Sequence, residues 1–206
     1  MYHVMLIEGN PMVQKLMEIF LSSNSQCQLV HSLNSITYAE QSCMNHPVDL
    51  ILMDMGTVME NDGIKTVKRL KKRFFNTKII MITDLPEYSY ITCAKQIGAD
   101  SFWYMEPVAE SLFSIMDKTM EGKSIYPDRV PVSKLGCALS TDFTHRELEV
   151  LREVVGGKTD AAIAEALTLS VSTVKFHIQK IREKTGFTTR TELAVRTRES
   201  GLVISQ

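Results

Sequence analysis

The segment between Ser170 and Arg190 concentrates positive charge. It contains a single carboxylate, Glu183, so its local charge is about +4. Its five cations are Lys175, Lys180, Arg182, Lys184 and Arg190. Because the formal charge of the whole chain is only -1, any affinity for a polyanion such as nucleic acid has to come from this local excess.

The same segment has the periodicity of an amphipathic helix. At about 100° per residue, four apolar side chains share one face, which we expect to pack inward: Val171, Val174, Ile178 and Ile181. The opposite face centres on Phe176, flanked by Ser172, Gln179 and Lys180, with Lys175 at its margin. An aromatic ring there is unfavourable unless something binds it. A basic helix fits the major groove, where Phe176 can touch a thymine methyl group. A helix that packs on a protein partner is the alternative.

Helix signals before this segment predict a helix-turn-helix unit. Thr144 and Glu147 have the spacing of a capping box, so a helix begins there. Gly156-Gly157 ends it, and Thr159 can cap a second helix that runs to about Leu167. A short turn, residues 168–170, then leads into a helix from Val171 to about Thr185. Two short helices separated by such a turn form this motif.

The first 120 residues alternate strand-like and helix-like segments. The predicted strands are His3 to Glu8, Gln28 to Ser32, Leu50 to Met53, Lys78 to Thr83 and Ser101 to Tyr104. The predicted helices are Pro11 to Asn24, Ser35 to Asn45, Gly63 to Phe74, Tyr88 to Gln96 and Ala109 to Met120. Five such units predict a parallel sheet covered on both faces, with reactive groups at the carboxyl ends of the strands.

The stretch from Glu121 to Asp142 lacks this periodicity and holds Gly122, Pro127, Pro131 and Gly136, which is typical of a linker, with room for a short helix. We therefore expect an α/β domain over residues 1–121, a linker over 122–142 and an all-α domain over 143–206.

Composition favours an ordinary globular protein of 206 residues, 44% hydrophobic and 23% charged. The apolar runs are too short to cross a bilayer, and the N-terminus does not have the pattern of a secretory signal. The four cysteines are scattered singly, so we expect free thiols and no metal site. These features predict a cytoplasmic protein without a membrane partner.

The C-terminal residues closely resemble the LuxR-type helix-turn-helix domain over Phe143 to Val195. The resemblance is carried by Thr144, Arg146, Glu147, Glu149, Val150, Leu151, Gly157, Lys158, Thr159, Ile163, Ala164, Leu167, Ser170, Thr173, Val174, Lys175, His177, Ile181, Lys184, Gly186, Arg190, Glu192 and Leu193.

Together with the α/β domain, the whole chain resembles the NarL/FixJ class of response regulators, with a flavodoxin-like receiver. The resemblance implies a transcription regulator of a two-component system. It also implies base contacts from Lys175, Phe176 and Gln179, and phosphate contacts from Thr173, Lys180 and Arg190. Family members commonly bind duplex DNA as dimers through the last helix, here about Thr191 to Glu199.

A receiver accepts a phosphoryl group on an aspartate, with acidic groups for Mg²⁺, a sensing hydroxyl and a lysine. In this resemblance Asp54 corresponds to the acceptor, Thr83 to the hydroxyl and Phe102 to the aromatic that moves with it. Other positions depart from the family. Where the family has a pair of acidic residues, this chain has Glu8-Gly9, and where the family has its lysine, this chain has Met105. Asp84 stands in place of a small residue, and the loop from Met55 to Asp62 is one residue longer than usual.

These departures predict a receiver that acts without phosphorylation, with at most weak Mg²⁺ binding at Glu8 and Asp54 and no cofactor. The alternative is a conventional regulator phosphorylated at Asp54 by a histidine kinase. Five-stranded α/β domains also include phosphatases and flavin carriers, but Glu8-Gly9-Asn10-Pro11 is not a phosphate-binding glycine loop. We therefore expect that the protein is not an enzyme. The last alternative to a DNA-binding regulator is a protein-interaction module that uses the C-terminal helices without DNA.

Overall fold

The computed structural model describes residues 1–59, 62–87, 89–105 and 110–203, which divide into two compact units. Residues 1–84 and 89–128 form the first unit, and the residues from Arg129 onward form most of the second. Among the described residues, no helix is long and apolar enough to cross a membrane.

A five-stranded parallel sheet with strand order β2-β1-β3-β4-β5 forms the centre of the first unit. Its strands are β1 (Tyr2–Ile7), β2 (Cys27–Leu33), β3 (Leu50–Asp54), β4 (Lys78–Thr83) and β5 (Ser101–Tyr104). The inner strands β1, β3 and β4 are almost continuously apolar and buried, as expected for strands covered on both faces. The predicted α/β architecture is confirmed.

In the described part of the first unit, six helices connect and cover these strands. They are α1 (Pro11–Ser22), α2 (Ala39–Asn45), α3 (Met55–Met59), α4 (Gly63–Arg73), α5 (Tyr90–Ile97) and α6 (Leu112–Met120). A 3₁₀ turn, Ile36–Tyr38, precedes α2. The prediction of a loop after Asp54 is wrong for its first part, because residues 55–59 are helical. Tyr88 and Ala109, the predicted starts of two helices, lie outside the described residues, as does the Glu106-Pro107 pair.

The second unit is mainly helical. It contains α7 (His145–Val155), α8 (Asp160–Ala166), α9 (Val171–Thr185) and α10 (Arg190–Ser200), preceded by a short antiparallel pair, β6 (Lys134–Leu135) and β7 (Ala138–Leu139), and a 3₁₀ turn, Ser140–Asp142. The capping box of Thr144 and Glu147 is present, and Thr159 caps α8 by accepting a hydrogen bond from the Ala162 N–H. The predicted helix-turn-helix unit is confirmed.

Both ends of the predicted linker take part in the packing of the units. Ile125 exchanges hydrogen bonds with Ser101 and Phe102 of β5, and Tyr126 Oη donates to the Ala99 carbonyl at 2.6 Å. Leu135 and Ala138 are buried in the core of the second unit. The sequence showed no periodicity here because these contacts are made by isolated residues and not by a repeating face.

Candidate nucleic-acid interface and acidic pocket

Helix α9 is fixed by its cap and its apolar face. The Ser170 side chain accepts a hydrogen bond from the Thr173 N–H at 3.0 Å. Val174, Ile178 and Ile181 are buried in the core of the second unit, as predicted. Val171 is instead 41% exposed. It is the first residue of the helix, and because Cα–Cβ bonds tilt toward the helix N-terminus, its side chain points beyond the packed turns.

The outward face of α9 presents an aromatic ring among polar side chains. Phe176 is 56% exposed, and Lys180 Nζ lies 5.8 Å from the centre of its ring. Ser172, Lys175 and Gln179 are also exposed, whereas Thr173 is half-buried. The structure therefore brings the predicted contact residues of α9 to one surface and leaves the ring free to contact a ligand.

Only part of the positive charge counted in the sequence is free. Lys184 Nζ donates to both carboxylate oxygens of Glu147, at 2.8 and 2.7 Å, and Lys180 pairs with Glu183 at 2.8 Å. Arg190 Nη1 lies 2.6 Å from Asp160 Oδ1. The formal charge of about +4 in this segment is thus partly neutralised, because two of the pairing carboxylates, Glu147 and Asp160, lie outside it.

A groove of about 730 Å³ runs beside α9. It is lined by Asp160, Lys175, Ile178, Gln179, Arg182, Glu183, Gly186, Phe187, Thr188 and Arg190. Arg182 is held by the carbonyls of Phe187 and Thr188. Among the described residues, Lys175 makes no ion pair. The helix therefore carries an ammonium group without an ion pair at Lys175 and an exposed ring at the next residue, and such a surface can contact both phosphates and base edges.

The first unit gathers carboxylates at the carboxyl ends of its strands. Glu8 follows β1, Asp54 ends β3 and Asp84 follows β4. Glu8 is almost fully buried, Asp54 is half-buried and Asp84 is exposed. Thr83 is fully buried at the end of β4. The residues predicted to form the receiver site therefore lie at one edge of the sheet.

Thr57, which is not among the predicted site residues, donates two hydrogen bonds to the predicted acceptor Asp54. Its N–H donates to Asp54 Oδ2 at 2.8 Å and its hydroxyl to the same oxygen at 3.2 Å. The Gly9 N–H donates to Thr57 Oγ1 at 3.1 Å. The only signal available in the sequence was a hydroxyl three residues after an aspartate, which is the spacing of a helix cap.

The pocket favours protonated carboxyl groups. Burial raises the pKa of Glu8 to about 7, against a hydrogen bond from the Asn10 N–H, and the charges of Asp54 and Asp84 raise it further. Burial also raises the pKa of Asp54, although hydrogen bonds from Thr57 and Gly56 oppose this effect. Among the described residues, the charges that raise these two pKa values belong to other carboxylates.

These residues fit Mg²⁺ poorly. Mg²⁺ requires carboxylate and water oxygens in nearly octahedral geometry, but Asp54 Oδ2 accepts two hydrogen bonds from Thr57 and Glu8 Oε1 accepts one from the Asn10 N–H. Gly9 supplies no carboxylate. Met105 is half-buried against the apolar core of this unit, and Phe102 is fully buried with its ring 4.9 Å from that of Tyr104.

The raised pKa of Glu8 predicts a pH-dependent stability. Because the folded-state pKa, about 7, lies above the ordinary value of 4.5, the stabilisation due to protonated Glu8 is complete below pH 4.5 and is lost as the pH rises through 7. We expect Glu8→Gln to be more stable than the natural chain by about 2 kcal/mol at pH 8, and by much less in acid. Urea unfolding followed by the fluorescence of Trp103, in β5, measures this difference.

Glu18→Gln is the control for this experiment. Glu18 is a surface residue whose pKa is lowered by its hydrogen bond with Lys15, so its replacement does not produce a gain at high pH. Equal stability of Glu8→Gln and the natural chain at pH 8 would contradict a buried carboxylate of raised pKa.

Comparison with known proteins agrees with this architecture. The model of the response regulator receiver domain matches residues 4–104, and that of bacterial regulatory proteins of the luxR family matches residues 141–197. The Fimbriae Z protein of Escherichia coli is 26% identical over 196 residues, covering 92% of this chain and 93% of the relative. The response regulator protein VraR of Staphylococcus aureus is 28% identical over 198 residues, covering 93% and 94%.

Solved structures of RcsB share the fold. RcsB of Salmonella enterica serovar Typhimurium, bound to a promoter in the presence of the phosphomimetic BeF₃⁻, aligns with a TM-score of 0.60 at 17% identity, over 97% of this chain and 98% of that one. A structure of two RcsB dimers bound to two parallel DNAs aligns with a TM-score of 0.61 at 18% identity, with the same coverage.

The two matched domains stand in the same order as the acidic pocket and the helix-turn-helix unit described above. The chain therefore belongs to the response regulators that join a receiver domain to a helix-turn-helix domain of the luxR family, which are DNA-binding transcription regulators.

Proposed function

We propose that this protein is a sequence-specific transcription regulator that binds double-stranded DNA through α9, as a homodimer, and that its receiver domain acts without phosphorylation of Asp54. The observation that carries the proposal is the exposed ring of Phe176, 56% accessible, on a helix whose other face is fixed in the core. The unpaired Lys175 lies next to it in sequence and lines the same groove as Gln179.

The contacts divide into two classes. Lys175, Phe176 and Gln179 contact base edges, while Ser172, Thr173, Lys180 and Arg190 contact phosphates. Arg190 keeps this role although it pairs with Asp160. A guanidinium group has five N–H donors, and Asp160 Oδ1 and the Lys158 carbonyl accept hydrogen bonds from two of its nitrogens. Its side chain is 37% exposed.

Selection of genomic DNA fragments by the unmodified protein, followed by footprinting, tests this function. We expect protected half-sites, inverted or direct, about one helical turn apart, because a dimer presents two recognition helices to one face of the duplex. Failure to retain any duplex at low ionic strength would contradict the proposal and favour a protein-interaction module.

The charges around Asp54 support a receiver without phosphorylation. An acceptor carboxylate needs nearby cations to neutralise the phosphoryl oxygens. Here Met105 stands in place of a lysine and Asp84 adds negative charge, while Thr57 stabilises the unreacted Asp54 through two hydrogen bonds to Oδ2. A regulatory protein or oligomerisation then replaces phosphate as the signal, and a histidine kinase is not required.

The homodimer has a candidate surface on the first unit. Four apolar side chains of α1 are exposed: Met12 (75%), Leu16 (61%), Ile19 (58%) and Phe20 (39%). Their spacing places them on one face of the helix, and the Phe20 ring stacks on that of Phe113 of α6 at 4.3 Å. Contiguous apolar patches of this kind mark interaction sites. The occupant we propose is the same face of a second copy, since an apolar patch is complementary to itself.

We expect Leu16→Asp to convert a dimer into a monomer, because dimerisation would bury the new carboxylate without a partner. Size-exclusion chromatography with light scattering measures the mass. Met44→Asp, which places the same charge at an exposed methionine of α2, is the matched control and should remain dimeric. A dimer that persists in Leu16→Asp would exclude this surface and leave the last helix as the candidate interface. A monomeric natural chain would contradict the proposed homodimer itself.

A further inference from the structure

Helix α4 carries the densest run of cations in the chain, with six between residues 65 and 73. Five of them are exposed: Lys65, Lys68, Arg69, Lys72 and Arg73. At about 100° per residue these five lie within a single arc of the helix surface. The opposite side, with Thr66, Val67 and Leu70, is buried. We call the five exposed cations the α4 basic face.

Few carboxylates balance this face. Lys65 pairs with Asp62 at 2.7 Å, and Glu40 is shared by Arg69 and Arg73, at 3.6 and 2.8 Å. Among the described residues, Lys68 and Lys72 make no ion pair. These two lysines are four positions apart, and therefore neighbours on the helix surface. The α4 basic face thus keeps an excess of positive charge in a protein whose overall charge is -1.

We propose that the α4 basic face is a second, sequence-independent contact for the phosphate backbone of DNA. The proposal rests on the proposed function, which already supplies this polyanion, and it extends that function to the receiver domain. From Lys65 to Arg73 the face is about 12 Å long, and a duplex carries one negative charge for about every 1.7 Å of its axis. Several phosphates therefore fall within reach of this row of cations.

The composition of the face favours DNA over a lipid surface. A helix that lies in a membrane interface buries an apolar face in the lipid, whereas the exposed arc of α4 carries charged side chains and its apolar residues are buried in the unit. Charge alone attracts both ligands, so vesicles of anionic lipid belong in the test.

The experiment measures binding of the full chain to a long fluorescein-labelled duplex over a series of salt concentrations. Each phosphate contact contributes about 0.9 to the slope of log affinity against log salt. We expect the Lys68→Gln/Lys72→Gln double variant to reduce the slope by about 1 to 2 and to leave the footprint on a selected operator unchanged. Glutamine keeps the helix propensity of these exposed positions.

Lys15→Gln/Lys123→Gln is the matched control, since it removes two exposed lysines of the same unit that lie outside α4. An equal loss of slope in this control would mean that only net charge matters, and would overturn the proposal. An unchanged slope in the Lys68→Gln/Lys72→Gln variant would also overturn the proposal, but it would leave the proposed function of α9 intact. Absence of duplex binding by the natural chain would overturn both. Binding of phosphatidylglycerol vesicles that depends on Lys68 and Lys72, without an effect on DNA, would assign the face to membranes.

Discussion

Replacing Phe176 by alanine is expected to weaken binding to a selected operator by about tenfold or more, while low-salt binding to unrelated duplexes changes little. The ring carries no charge, so its loss leaves the phosphate contacts intact and removes an apolar contact with a base edge. Contacts of that kind discriminate between bases by about 1 to 3 kcal/mol. Fluorescence anisotropy with operator and scrambled duplexes at matched salt measures both affinities.

Lys175→Ala supplies the comparison within the same helix. Its ammonium group makes no ion pair among the described residues. Because we place Lys175 at a base edge, its removal weakens binding to the operator. Because it also removes a positive charge beside the duplex, binding to every duplex weakens and the salt slope falls by up to about 1. Phe176→Ala is expected to change mainly the specificity of binding, whereas Lys175→Ala also changes its salt dependence. If the two variants differ in this way, α9 is the element that reads the DNA sequence.

The fold should tolerate both changes, because Phe176 is more than half exposed and lies outside the core that holds α9. Tyr38→Ala is the control, since Tyr38 is an aromatic residue of the first unit with 60% exposure. If Phe176→Ala and Tyr38→Ala bind the operator equally well, the ring is not a DNA contact and the assignment of α9 fails.

The helix-turn-helix unit could be predicted almost completely from the sequence because its signals are local. The capping box of Thr144 and Glu147, the cap at Thr159 and the apolar stripe of α9 each lie within a few residues of the structure that they specify. The same holds for the five strands, whose apolar runs are bounded by helix-period segments. Val171 was the exception, because it is the first residue of α9 and its side chain points beyond the packed turns.

The charge balance could not be predicted in this way. Lys184 and Glu147 are 37 positions apart and Arg190 and Asp160 are 30 apart, and no periodicity links residues at such separations. The formal charge of residues 170–190 therefore does not reveal how much of that charge is left unpaired. The contacts of Ile125 and Leu135 with their cores were missed for the same reason, since each depends on a tertiary neighbour.

In the acidic pocket, too, some features could be predicted from the sequence and others could not. The positions of Glu8, Asp54 and Asp84 follow from the ends of predicted strands, because parallel strands end at one edge of the sheet. The role of Thr57 does not follow, since it depends on residues 55–59 being helical and not a loop. This one helical turn directs both the N–H and the hydroxyl of Thr57 at Asp54 Oδ2.

Incubation of the natural chain with acetyl phosphate and Mg²⁺ is expected to leave Asp54 unmodified. In the reaction tested, a carboxylate oxygen of Asp54 would attack phosphorus, the bond from phosphorus to the acetate oxygen would break, and acetate would leave. This transition state needs metal ligands and a cation near the phosphoryl oxygens, and each missing electrostatic group costs about a hundredfold or more in rate. Intact-protein mass spectrometry detects the adduct.

Restoring the missing groups should restore the reaction. The variant combines four substitutions: Gly9→Asp, Thr57→Ala, Asp84→Ala and Met105→Lys. Gly9→Asp adds a second carboxylate next to Glu8, Asp84→Ala removes a negative charge near Asp54, and Met105→Lys supplies the lysine. Thr57→Ala is included because a Cβ added at Gly9 would lie 3.1 Å from Thr57 Oγ1, and because it removes the hydroxyl donor from Asp54. We expect this variant to gain an adduct, and the same variant with Asp54→Asn to lose it.

A clear adduct in the natural chain at ordinary Mg²⁺, absent from its Asp54→Asn variant, would overturn the proposal and identify a conventional phosphorylated regulator. The pKa of Glu8, about 7, gives this outcome a further signature. A receiver that used Glu8 to bind Mg²⁺ would need the carboxylate form, so at subsaturating Mg²⁺ its phosphorylation would increase between pH 6 and pH 8. Phosphorylation that is independent of pH over this range at subsaturating Mg²⁺ would mean that Glu8 is not a ligand and that Asp54 reacts without it.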